Sequence, residues 1–180
     1  MPVPDWLSTV DCRLSTPTDY TNPMAEGTRI PDPLQVLFSG EGFAQRHGVA
    51  LPFVTVDPEG YPRAALLSFG EVRARSRREL VVAVRAGSHT AANLIRRRTA
   101  MLYYLGRHCA MWVQVRAGRG HSSATDPERQ IFPLTVVRVK VDEAGSEEGA
   151  SLLTGPIFTT AEPDRIFSER LFEELGREEQ

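Results

Sequence analysis

Gly87-Ser88-His89-Thr90 interrupts an otherwise apolar stretch, "VVAVRAGSHTAANLIRRRTAMLYYL" (residues 81–105). A glycine and then a serine ahead of a helical pattern mark a junction between strand and helix. The glycine frees the backbone, the serine stands where an N-cap belongs, and the first-turn amides of the helix are left pointing outward. Such an end attracts anions, with the helix dipole contributing roughly 0.3–1 kcal/mol and up to about 2 kcal/mol when partly buried. The hydroxyls of Ser88 and Thr90 add donors, and His89 is placed to touch a phosphate or a substrate. An arginine from a neighbouring strand would turn this weak preference into a site, because each charge-assisted hydrogen bond is worth roughly 1.5–3 kcal/mol. Arg63 is that candidate. Three or four such contacts supply on the order of 5–8 kcal/mol, close to the roughly 8 kcal/mol of a micromolar ligand. A phosphate ester carrying an apolar ring suits this chemistry. The same residues also read as an ordinary capped helix with Thr90 as a first-turn filler.

The elements that must position these groups follow from pattern. Residues 1–33 carry six prolines and few apolar runs, which predicts an extended arm. Asp32-Pro33 opens a helix, with Leu34, Leu37 and Phe38 at helical spacing, that ends or continues to about His47. "LPFVTVD" (51–57), the turn "DPEG" and "YPRAALLSFG" (61–70) predict a hairpin. "EVRAR" (71–75) and "LVVAV" (80–84) are further strands, the second apolar on both faces and so covered on both sides. "SHTAANLIRR" is a helix whose Ala91, Leu94, Ile95 and Arg98 share one stripe. Strands resume at 100–105 and 109–117, a flexible polar loop fills 118–130, and "LTVVRVKVD" (134–142) alternates with Val137, Val139 and Val141 on one face. An amphipathic helix closes the chain at about 162–175, its stripe formed by Ile166, Phe167, Leu171, Phe172 and Leu175. Six or seven strands joined mostly by tight turns, with one internal and two flanking helices, describe an α+β, mainly antiparallel barrel or sheet.

Composition excludes more than it names. The 180 residues are 41% hydrophobic and 24% charged with a net charge of -2, which gives no reason to expect nucleic acid or an anionic membrane as partner. The charge is uneven: nine arginines against two glutamates lie between Arg63 and Arg98, and the tail from Asp142 is acidic. A local anion site and an acidic tail folded over a basic surface both fit this asymmetry. The two cysteines, Cys12 and Cys109, do not form a disulfide framework, and no apolar run is long enough to span a membrane, so a cytoplasmic location is expected. The four histidines lack zinc-ligand spacing, and no metal site is expected. "GRG" at 118–120 precedes no helix and is no dinucleotide fingerprint. Trp112 and Tyr103-Tyr104 read as core or interface residues, and Arg96-Arg97-Arg98 as a solvated face or dimer-surface patch, with anion binding as the alternative.

The order "DPEGYPRAALLSF", a two-sided apolar strand, "GSHTAANLIRR" and "TAMLYYL" resembles the FMN-binding split-barrel family that includes pyridoxamine 5'-phosphate oxidase-like proteins. Ser88, Thr90, Asn93 and Leu94 stand where that family has a Ser-x-Lys/Thr-x-x-Asn-Leu helix start, and the resemblance covers roughly residues 34–142. It implies a six-stranded antiparallel split barrel with flanking helices, a homodimer, and FMN in clefts between the subunits. On this chain Arg63, Ser88, His89 and Thr90 would hold the phosphate, and the backbone around Leu66, Leu67 and Ser68 would face the isoalloxazine edge. Asn93 would support the helix start or the phosphate. Many members carry lysine or arginine where Thr90 or His89 stands, so the grip here carries less charge. The domain layout expected is an arm over 1–33, a flavin-binding barrel over 34–145, and a C-terminal segment over 146–180 packing on the barrel.

The function expected from this resemblance is that of an FMN-binding flavoprotein, an oxidoreductase acting on an unidentified small molecule. The alternative is a cofactor-binding sensor or storage protein for flavin, haem or deazaflavin without turnover. A cofactor-free interaction barrel is a third. The tail "FSERLFEELGREEQ" lacks the basic and aromatic C-terminal segment with which pyridoxamine phosphate oxidase reads its substrate, which argues against vitamin B6. The absence of a catalytic triad carries no weight, since a bound cofactor would carry the hydride step itself.

Overall fold

The computed structural model describes residues 24–40, 43, 48–106, 109–143, 155–158 and 162–177. In chain order the elements are β1 (Met24–Gly27), α1 (Asp32–Ser39), β2 (Ala50–Val56), β3 (Pro62–Ser68), β4 (Val72–Ser76), β5 (Glu79–Arg85), α2 (His89–Arg97), β6 (Thr99–Leu105), β7 (Cys109–Ala117), β8 (His121–Ser122), β9 (Arg129–Glu143) and α3 (Glu162–Leu175). All strand pairings are antiparallel, and the sheet runs β3-β2-β6-β7-β9-β5-β4 with the short strands β1 and β8 also paired to β9.

The sheet has to curl. β3 and β4 end that path on opposite sides, yet only the 3₁₀ turn Phe69–Glu71 joins them. Three residues reach about 10 Å at most, so the two edges must come close to meeting and the sheet forms a half-barrel. Phe38, Phe53, Phe69 and Phe132 fill its interior with Leu34 and Leu37 of α1 and Leu94 of α2, all at most 2% exposed. Full burial of each such side chain is worth roughly 1.5–3 kcal/mol.

Six strands are too few. The continuous path alone has seven, because the 15-residue β9 is long enough to pair β7 along most of its length, β5 along one half and β1 at its far end. The arm expected over 1–33 contains one of these strands, β1, and residues 1–23 lie outside the described residues. The segment 118–130 is not a free loop: His121–Ser122 pairs with β9, and the backbone N–H of Gly118 donates to the Pro133 carbonyl at 2.7 Å. Val137 is 48% exposed rather than facing inward with Val139 and Val141, since a register shift opposite Gln114 and Val115 puts Val136 inside in its place. The two-sided burial of β5 is as expected. Leu80, Val82 and Val84 face the barrel, while Val81 and Ala83 pack under Leu171 and Leu175 of α3. Ile166, expected in the buried stripe of α3, is 51% exposed. The adjacent pair His108-Cys109 lies partly outside the described residues.

Candidate functional site

β5 ends at Arg85 and the chain turns within two residues into α2. The turn is closed by the backbone N–H of Ser88 donating to the Arg85 carbonyl at 3.2 Å, and that of Ala86 donating to the Glu128 carbonyl at 2.6 Å. Gly87 has φ +73°, a left-handed value that side chains with a Cβ resist, and a Cβ there would meet nothing within 4 Å. The glycine is thus required by the turn and not by crowding, and the space above it is open.

Ser88 is extended (φ -71°, ψ 157°), and its Oγ accepts the backbone N–H of Ala91 at 3.1 Å. Its carbonyl accepts from Ala92 at 3.0 Å. The amides of His89 and Thr90 have no acceptor among the described residues, and the first turn of α2 contains no acidic side chain. His89 is exposed and Thr90 half-buried. The carboxylate of Glu128, whose carbonyl is tied to Ala86, is turned to Arg85 at 3.3 Å, with both side chains 74% exposed. This helix start therefore presents two unpaired donors and a positive dipole end to solvent.

The other half of the site comes from the β2–β3 hairpin. Arg63 lies directly opposite Thr55, as Ala65 does opposite Phe53 and Leu67 opposite Leu51, so these six share one face of the ladder. Thr55 is fully buried and Asn93 is 3% exposed. The Asn93 Nδ2 group donates to Thr55 Oγ1 at 2.9 Å, and the Thr55 hydroxyl lies 3.5 Å from the Arg63 carbonyl. A second tie comes from Arg97, whose guanidinium donates to the carbonyls of Asp57 at 3.2 Å and Pro58 at 2.9 Å. With Asn93 over Thr55 and Arg97 over the turn beyond it, α2 runs in the same sense as β2. Its first turn is thereby directed back toward the level of Phe53 and Ala65. Arg63 is exposed, makes no ion pair among the described residues, and projects on the face that α2 covers.

The expected ring-facing positions divide three ways. Leu66 is 54% exposed on the opposite face of β3, and Leu67 is 4% exposed in the core. Ser68 caps the 3₁₀ turn: its backbone N–H and hydroxyl donate to Glu71 Oε2 at 2.7 and 3.0 Å, and the other oxygen of Glu71 pairs with Arg129. Burial holds the Arg129 guanidinium below its usual range. Asn93 faces Thr55, which leaves its amide as a support for the helix. That inward bond also turns the buried face of α2 to Ala91, Asn93 and Leu94, so Ile95, expected inside, is 62% exposed.

Thr55 and Arg97 went unread in the sequence. The signal for Thr55 was present: alternation places it inward with Leu51 and Phe53, and a buried hydroxyl requires a partner. Nothing local marks Arg97 over its neighbours Arg96 and Arg98.

On the outer face of the sheet, Val54, Met101 and Gln114 lie opposite one another across β2, β6 and β7. Beside them Tyr103 and Trp112 pack edge to face, with centroids 6.1 Å apart. A shallow cavity of about 350 Å³ opens there, lined by Val54, Val56, Met101, Gln114, Arg116 and Val137 among others. No described helix has buried this face, in contrast to the inner one.

The Bacillus subtilis protein YclD, uncharacterized itself, is 28% identical over 151 residues, or 82% of this chain and 96% of YclD. No protein-family model matches the chain. Among solved structures, similarity is found to a Lactobacillus delbrueckii protein provisionally assigned as a pyridoxamine 5'-phosphate oxidase (17% identity, 63% of this chain and 94% of that one, TM-score 0.49). An FMN-binding protein from Syntrophomonas wolfei has 12% identity over 62% of this chain and 89% of its own, with a TM-score of 0.48. An F420 reductase has 9% identity over 52% and 90%, with a TM-score of 0.46. No described helix is long and apolar enough to cross a membrane.

Proposed function

We propose that this chain is a split-barrel flavoprotein that holds the phosphate of FMN at the start of α2. The amides of His89 and Thr90, the hydroxyls of Ser88 and Thr90, and the guanidinium of Arg63 would be its donors. The observation that carries this reading is the open helix start: two amides beside Gly87 that have no acceptor, and no carboxylate turned onto them, among the described residues. The donor set fits the group. It consists of backbone and hydroxyl donors plus one cation, which suits a dianionic monoester better than a metal or a neutral ligand.

The flat ring would extend along the edge strand β3, where the side chain of Leu66 is open and β3 pairs with β2 alone among the described strands. Two copies would join through the uncovered face bearing Val54, Met101, Tyr103 and Trp112, so that each cleft is completed by the other subunit. When bound, flavin supplies hydride and electron chemistry. The chain would bind, orient and exclude water, with His89 as the titratable side chain nearest the phosphate. On this reading the protein is an oxidoreductase for a small molecule.

Purified protein mixed with FMN tests the reading. Quenching of flavin fluorescence with a micromolar midpoint, in a species of twice the monomer mass, is expected; colourless monomer after gel filtration would reject it. Oxidation of NADPH or NADH by the loaded protein separates an enzyme from a carrier of the same cofactor.

A further inference from the structure

The residues that follow α2 form a crevice that the flavin reading does not use. It has a volume of about 470 Å³ and is lined by Arg98, Gly118, Arg119, Gly120, Gln130 and Phe132, with Ile95 on its helical side. We propose that this crevice is a second anion site, taking a small organic carboxylate or phosphate.

Three observations converge on it. First, Arg98 is the one non-glycine residue with positive φ among the described residues (φ 57°), at a helix C-cap where glycine is the usual occupant. The strained backbone is locked by the Arg98 N–H donating to the Leu94 carbonyl at 3.1 Å and by Ala117 N–H donating to the Arg98 carbonyl at 2.9 Å. Its Nε donates to the Ala117 carbonyl at 3.1 Å, which fixes the plane of the guanidinium. The two terminal nitrogens then have no partner among the described residues. A residue kept in an unfavourable conformation with an oriented and unused fork is a candidate for ligand contact.

Second, the Gly-Arg-Gly segment is a fitted floor. A Cβ on Gly120 would stand 2.5 Å from Phe132 Cε1, and one on Gly118 would stand 2.8 Å from Pro133 Cγ. Both glycines are required so that this strip can lie flat on β9, and Arg119 is held between them. Third, the charge there is uncompensated. Arg75, Arg77, Arg85 and Arg129 all have carboxylate partners, whereas Arg98 and Arg119 have none among the described residues and no acidic side chain lines the crevice.

Two guanidiniums, a glutamine amide and an apolar wall of Ile95 and Phe132 suit an oxyanion on a short carbon frame. The volume lies within the roughly 300–1,000 Å³ of small-molecule pockets. The site is independent of the flavin reading, since it lies at the opposite end of α2 from Ser88.

Amide NMR of the full chain is the test, because Gly118 and Gly120 report on the crevice and Gly87 on the start of α2. Succinate and glycerol 3-phosphate are titrated separately at matched ionic strength, and the tighter of the two identifies the oxyanion. Saturable shifts at Gly118 and Gly120 are expected, weakened at least about tenfold by Arg119→Gln and by Arg98→Gly. Glycine accepts the left-handed conformation, so Arg98→Gly keeps the backbone turn while removing the charge and the Nε bond to Ala117; exposed Arg119 gives a second variant that leaves that bond in place. Arg63→Ala is expected to leave these shifts unchanged. Absence of saturation with both anions, or saturation that survives both crevice variants, overturns the proposal whatever happens at Gly87.

Discussion

The start of α2 and the end of α3 pose the same problem with opposite signs, and the chain solves only one of them. At the end of α3 the carbonyls of the last turn are capped by arginines of β4. Arg73 donates to Phe172 at 2.9 Å, and Arg75 donates to Leu175 at 3.0 Å and also to Arg177. The Arg73 guanidinium also sits 4.6 Å from the centre of the Phe172 ring. Burial lowers the pKa of Arg73, as expected for a cation enclosed by its own protein. Among the described residues, the first amides of α2 have no acceptor and Arg63 has no ion-pair partner. The basic stretch is therefore two populations. Arg73 and Arg75 hold the acidic tail and have a structural role, and Arg63 remains available. An anion introduced from outside has a place at the first helix end and none at the second.

The largest effect expected from breaking this contrast is on stability. Arg75→Ala removes two hydrogen bonds from a cation that is 16% exposed, and should lower the free energy of unfolding in urea by about 2–3 kcal/mol. FMN affinity should not change. Arg63→Ala should do the reverse: the FMN titration midpoint rises at least about tenfold, or roughly 1.4 kcal/mol, while stability stays within about 0.5 kcal/mol. Equal effects of both variants on both measurements would erase the distinction. Gly87→Ala sharpens it, since the left-handed backbone resists a Cβ by roughly 1–2 kcal/mol and the amides would be displaced with it. Both the urea midpoint and the FMN midpoint should then worsen modestly.

How much of this was legible in the sequence depended on whether the signal was local. Ser88 as an N-cap, Gly87 as the turn residue and the bounds of α3 follow from capping and periodicity, which act within a few residues. The 3₁₀ turn Phe69–Glu71 is not legible, because the capping box of Ser68 and Glu71 falls across what reads as one strand segment over 61–70 and another over 71–75. Val137 was misplaced because a bulge is a property of two strands and strict alternation sees one. Ile95 follows from the same limit, since only the fold reveals that Thr55 waits beneath α2 for Asn93. The closure of the sheet was half visible: the short link between β3 and β4 is in the sequence, but that they end opposite sides of the path is not.

The smallest effect expected is also the most diagnostic of how α3 is fastened. The Glu174 carboxylate accepts the Ser123 hydroxyl at 2.7 Å and the backbone N–H groups of Ala124 at 2.6 Å and Thr125 at 3.1 Å. Burial alone would push its pKa up, but the hydrogen bonds from Thr125, Ser123 and Ala124 outweigh it and hold the group below the usual carboxylate value. With the folded pKa below the unfolded one, the unfolded chain binds more protons in the window beneath about pH 4.5, so stability there rises with pH. The contribution is complete above that window and is lost as pH falls through the folded value. Glu174→Gln should therefore lower the urea midpoint slightly at about pH 6 and flatten its fall toward about pH 3.5. The same steepness in both proteins would place the acid sensitivity elsewhere. Because Glu174 grips the segment that leads through Glu128 to Ala86, a flattened curve accompanied by a shifted Gly87 amide would connect the closed helix end to the open one.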